Sequence, residues 1–156
     1  MKSIVRLLLL LLLGVYSCDK LPQNDALDGM WHLQKIHHLN SVTQTEEDVS
    51  AQQIYWCVQL DLLQIKSNKR LMYRDEVKGR DTYNAFCRFE HKGNSLNVNK
   101  VYLSFDVMDS LLTNPNTRIM EPYGIVGCAD TFHIEHLGSK QMILVSDDKR
   151  LMFHKF

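Results

Sequence analysis

The chain has 156 residues, 45% of them hydrophobic, and its 18 Lys and Arg are matched by 18 Asp and Glu. This length supports one domain with a core of its own. The even charge excludes the clustered basic excess of a nucleic-acid binder, since even the densest basic stretch, Lys66-Ser67-Asn68-Lys69-Arg70, reads as a solvated turn.

The first element is an apolar run from Leu7 to Tyr16 behind Lys2 and Arg6. As a helix it spans about 15 Å, half of the roughly 30 Å hydrocarbon core of a bilayer. A basic leader, a short apolar run and a slim ending make the layout of a secretory signal. Val15-Tyr16-Ser17 is a poor small-x-small cleavage site, whereas Val15-Tyr16-Ser17-Cys18 resembles a bacterial lipobox, in which the cysteine becomes the lipidated first residue. The expected division is therefore a signal peptide over 1–17, a lipidated Cys18 with its tether over 18–28, and one domain over 29–156. Two or more acyl chains, palmitate among them, anchor stably, at about 0.8 kcal/mol per buried methylene. The mature chain keeps 139 of the 156 residues and loses Lys2 and Arg6, leaving 16 basic against 18 acidic groups, or about −2. Cys57, Cys87 and Cys128 then remain, an odd number that allows at most one bridge. Their spacing matches neither a zinc knuckle nor a C-x-x-C redox pair, so at least two are expected to be buried structural thiols.

Beyond the tether the dominant period is two, the mark of half-buried strands. A first strand over 29–36 puts Trp31, Leu33 and Lys35 on one side. A second carries Ile54, Trp56, Val58, Leu60 and Leu62 on one face, with Tyr55, Cys57, Gln59 and Asp61 on the other. Leu71 to Val77 is a weaker strand. Tyr83, Ala85, Cys87 and Phe89 form the apolar side of the next, so Cys57 and Cys87 fall on opposite faces and are not expected to bridge. Lys92-Gly93-Asn94-Ser95 has hairpin chemistry, because Gly and Asn tolerate positive φ. The return strand begins at Leu96 and Val98 and runs past a small irregularity through Val101 and Leu103.

Asp106 to Leu112 is read as one or two helical turns capped by Asp106. Pro115, Pro122, Gly124 and Gly127 then punctuate a long connection to Asp130, and long ordered loops often carry function. Phe132 to His136, Met142 to Val145 and Arg150 to Phe156 form a three-stranded meander, turned at Gly138-Ser139-Lys140 and Asp147-Asp148-Lys149. About eight strands with one short helix or long loop predict an all-β fold, a small antiparallel up-and-down barrel or a sandwich.

Four stretches bear a family resemblance: Val15 to Cys18, Leu27-Asp28-Gly29-Met30-Trp31, Phe132 to Leu137, and Leu151-Met152-Phe153. Together they make the chain similar to the lipocalin-like lipoproteins of Gram-negative gut bacteria. Gly29-x-Trp31 matches the first-strand signature of lipocalins. The resemblance implies a lipocalin-like barrel of about eight strands in which Trp31 plugs one end under a basic side chain of the last strand, Arg150 or Lys155. It also implies a cell-envelope location, by a lipid anchor on the outer membrane.

Catalytic and metal chemistry finds no pattern here. His37-His38 on a strand point to opposite faces, as do His133 and His136. No nucleophile elbow or phosphate-binding glycine loop is present, and Asp147-Asp148 and Glu46-Glu47-Asp48 read as solvated turns. The expectation is a protein that is not an enzyme and uses no metal or cofactor. Two functions fit. One is a binder of a small hydrophobic ligand inside the barrel, with 106–130 as a lid. There Leu111, Leu112, Ile125 and Val126 supply an apolar mouth and Tyr123 a polar tip. The other is a filled, non-catalytic module that docks to an envelope protein or a glycan. An inward set of Trp31, Trp56, Tyr83, Phe89, Phe132 and Phe153 leaves room for a small pocket at most, at the end away from Trp31.

Overall fold

Alternation from Gly29 onward produces strands because each pleat sends successive side chains to opposite faces. The computed structural model describes residues 24–40, 45–106 and 108–156. In chain order the strands are β1 (Gly29–His38), β2 (Thr45–Asp48), β3 (Ile54–Gln59), β4 (Leu62–Ser67), β5 (Tyr73–Asp75), β6 (Arg80–Thr82), β7 (Asn84–Lys92), β8 (Ser95–Ser104), β9 (Asp109–Leu111), β10 (Asp130–Leu137), β11 (Gln141–Val145) and β12 (Lys149–Lys155). Hydrogen-bonded neighbours run β10-β11-β12-β1-β3-β4-β7-β8, and β8 pairs back with β10. Eight antiparallel strands thus close into a barrel. Closure leaves these strands no open edge. β2 lies beside β1, β9 beside β8, and β5 with β6 makes a separate hairpin.

Inward parity carries the core. Trp31, Trp56, Leu63, Ala85, Cys87, Leu96, Val101, Phe132, Leu144 and Leu151 are at most 1% exposed. Each large side chain taken out of water contributes roughly 1.5–3 kcal/mol. The Gly93-Asn94 hairpin and the C-terminal meander form as expected. The irregularity in β8 is a bulge: Cys87 faces Val101 but Arg88 faces Asn99, and the extra residue, Lys100, has φ 49°.

Several expectations are corrected. A register shift between Leu33 and Lys35 turns Lys35 outward and brings Ile36 inside, at 1% exposure. The second predicted strand is two: β3 ends at Gln59, Leu60 takes φ 58°, and β4 returns with Leu63 and Ile65 inward. Tyr83 is 42% exposed in the gap between β6 and β7 and is not part of the core. No helix forms over the described part of 106–112; β9 pairs there with β8, Tyr102 facing Leu111. Glu46, Glu47 and Asp48 belong to β2 rather than to a turn. A shift between Ile134 and His136 leaves His133 and His136 both exposed on the outer wall.

Trp31 closes the base. Its indole Nε1 donates to the Leu27 carbonyl at 2.8 Å, and Lys155 Nζ stands 4.7 Å from the ring centroid while donating to the Ala26 carbonyl at 2.8 Å. Lys155 is therefore the basic partner, and Arg150 pairs with Glu135 instead. Gly29 is needed here: φ is 127°, and a Cβ would lie 2.8 Å from Lys155 Cε.

Candidate functional site

The connection between β9 and β10 folds into the top of the barrel instead of hanging over it. A 3-10 turn, Glu121–Tyr123, with Pro122 pre-setting its φ, carries Met120, Tyr123 and Ile125 inward, at 0%, 1% and 0% exposure. Gly124 follows with φ 93°, and a Cβ there would meet Leu151 Cδ1 at 2.7 Å. Only glycine lets this segment press against β12.

Trp56 joins the wall to this plug. Its Nε1 donates to the Tyr123 carbonyl at 3.0 Å, and its ring lies 5.8 Å from Phe132 and 5.1 Å from Phe153 between centroids. The Tyr123 hydroxyl donates to the Arg70 carbonyl at 3.2 Å. Burial pushes that phenol up to about 12, against the opposing pull of Arg70. Burial likewise pushes the Cys87 thiol up to about 12.

Above the rings stands a lysine that sequence reasoning assigned only to a turn. Lys149 begins β12 on the parity of Leu151 and Phe153, and its side chain is 4% exposed. Its Nζ lies 3.3 Å from Asp130 Oδ2 and 3.4 Å from Asp148 Oδ1. Asp130 also accepts from the backbone N–H groups of Val126 and Thr131, each at 2.9 Å. The pair therefore pins the end of the long connection to the barrel rim. The only sequence signal was parity, since the partner carboxylate lies on another strand.

The five candidate ligand residues are not brought to one mouth. Tyr123 and Ile125 are core, and Leu112 packs against the core with its N–H bonded to the Val101 carbonyl at 2.9 Å. Leu111 is 45% exposed on the outer face of β9. Val126 lines an outside depression of about 670 Å³ with Val98, Asp130 and Asp148. Cys18 and the leader lie outside the described residues. On β1 and β2, His37 Nε2 lies 2.6 Å from Glu46 and His38 Nε2 lies 3.8 Å from Glu47. The Lys35 ammonium bonded to Glu46 at 2.6 Å holds that carboxyl below its ordinary range. Among the described residues, no three His, Cys, Asp or Glu side chains gather as metal ligands.

An eight-stranded antiparallel barrel closed at one end by a first-strand tryptophan under a last-strand lysine defines a lipocalin-like fold. The family model for the lipocalin-like domain matches residues 10–156, and the chain belongs to that family. Among solved structures, a lipocalin-like protein from Bacteroides uniformis ATCC 8492 is 20% identical, with a TM-score of 0.56 over 84% of this chain and 99% of that one. An uncharacterized protein from Bacteroides eggerthii DSM 20697 is 14% identical, with a TM-score of 0.53 over 83% and 98% of the two chains. No curated protein matches the chain.

Proposed function

We propose that this chain is a lipid-anchored cell-envelope protein whose barrel is a non-catalytic docking module for an envelope protein or a glycan, not a carrier of a ligand inside the barrel. The carrying observation is the filled interior. A water-sized void would appear as exposure on the side chains lining it, yet Trp31, Trp56, Ala85, Phe132, Met142 and Leu144 have none. Eight strands enclose a space that side chains can fill or that can hold one small ligand. Here Met120, Tyr123 and Ile125 take up the space at the top. The anchor half of the proposal rests on the Leu7 to Tyr16 run ending at Ser17-Cys18.

Native mass spectrometry of the purified protein with an extract of envelope lipids and small hydrophobics tests the reading. A clean apo-protein is expected. A reproducible one-to-one adduct that survives in wild type and is lost on Leu112→Glu, without unfolding, would instead establish the small-ligand binder.

A further inference from the structure

The base of the barrel holds the point where the tether joins the fold. Asn24, only 8% exposed, donates from Nδ2 to the Leu60 carbonyl and to Asp28 Oδ1, both at 2.7 Å. Leu27 beside it is fully buried beneath Trp31. Five residues, 19–23, separate Asn24 from Cys18. At about 3.3–3.6 Å per residue the cysteine stays within about 20 Å of the base. An acylated Cys18 therefore keeps the base within about 20 Å of the bilayer.

Two large apolar side chains are presented at that end. Leu60, in the turn between β3 and β4, is 49% exposed, and Phe156, just past β12, is 74% exposed. Both settings are unexpected for such residues. Leu60 sits at φ 58°, where Gly or Asn would suit the turn and expose nothing apolar. Phe156 is held with its N–H bonded to the Met30 carbonyl at 2.9 Å and its ring 5.5 Å from Tyr55. Phe156 stands beside Met30, whose partner on β3 is Cys57, so it lies two strands across and three residues along from Leu60, roughly 14 Å away at about 4.8 Å per strand and about 3.3 Å per residue. Charges around them balance: Asp25, Asp28, Asp61 and Glu90 stand against Arg88, Lys92, Lys140 and Lys155, with Arg88 2.8 Å from Asp61. A charge-balanced rim around exposed apolar groups fits zwitterionic lipid, where apolar area rather than net charge sets the contact.

We propose that the barrel base is a membrane-seating surface, with Leu60 and Phe156 entering the headgroup layer of the bilayer that carries the anchor. This rests on the anchored reading above and goes further, since a tether alone would leave the barrel free in water.

The test uses the full chain, produced in a Gram-negative host, purified from its membranes and reconstituted into phosphatidylethanolamine vesicles with or without brominated acyl chains. Trp31 and Trp56 are fully buried and give a common background. Tryptophan is introduced separately as Leu60→Trp, Phe156→Trp and, at the opposite end, Val77→Trp, a site 94% exposed near the tip of the β5–β6 hairpin. The two base variants should lose most of their added emission in brominated vesicles, and Val77→Trp should lose none. Phe156→Trp alone decides the matter if Leu60→Trp does not fold. Cosedimentation with the vesicles but no quenching at the base overturns the seating surface and leaves the anchor standing. Failure to cosediment overturns the anchor and the seating surface with it.

Discussion

Replacing Trp31 by alanine removes the base plug, and the structure fixes what is lost. The indole is fully buried, donates to a carbonyl of the buried Leu27 at 2.8 Å, and lies under the Lys155 ammonium at 4.7 Å. Large aromatic deletions in cores cost about 3–5 kcal/mol. Against a total stability of about 5–15 kcal/mol, this is a large share. Trp31→Phe keeps most of the ring but strands the Leu27 carbonyl, which costs about 1–3 kcal/mol. Lys155→Met removes only the cation over the ring, a contact worth about 0.5–2 kcal/mol. Urea unfolding followed by far-UV circular dichroism measures all three, and the Trp31/Lys155 double-mutant cycle isolates the coupling. A Trp31→Ala midpoint equal to wild type would refute the plug.

Asp130→Ala should cost about 3–5 kcal/mol in the same assay, because it leaves the buried Lys149 ammonium without its nearest carboxylate, whereas the paired replacement Asp130→Asn with Lys149→Met, which leaves no charge buried alone, should cost far less. The Cys87 thiol titrates near 9.0 when unfolded and at about 12 when folded, so below pH 9 it has no effect on stability. As pH rises from there the unfolded chain gives up the proton first, and Cys87 should lower stability by about 1.4 kcal/mol per pH unit, a contribution that Cys87→Ala removes while those of Cys57 and Tyr123, both also raised by burial, remain. Cys57 faces outward on β3 while Cys87 faces inward on β7, so peptide mapping without reduction should recover no linked pair between them, and recovering one would show the register to be wrong. Fatty-acid labelling in cells should mark the wild type and not Cys18→Ala; equal labelling of both would remove the anchor.

Parity made much of the barrel legible. Trp31, Trp56, Phe89, Phe132 and Phe153 are inward by alternation, and all five are buried in the barrel. The errors share a cause. Lys35, Tyr83 and His136 were placed by counting in twos, and a bulge or a strand break shifts the count without any marker in composition. Leu60 hid a turn because leucine is not a turn residue, and its left-handed φ leaves no local signal. Asp109 to Leu111 became a strand because Tyr102 and Leu103 offered β8 as a partner, and that partner outweighed a weak helical pattern. The plug was invisible for the same reason. Gly124 reads as a breaker in the sequence, yet its role is set by Leu151 on a distant strand.

The filled barrel is tested most directly by titrating a benzene-sized apolar probe into the folded protein beside Trp56→Ala. That substitution removes the ring between Phe132, Phe153 and the Tyr123 carbonyl, and so opens a dry apolar cavity of the kind that takes up such probes. Wild type should show no saturable uptake by calorimetry or probe-detected NMR, and Trp56→Ala should bind one molecule. Saturable binding of one probe by wild type, as tight as that of the hollowed variant, would contradict the account.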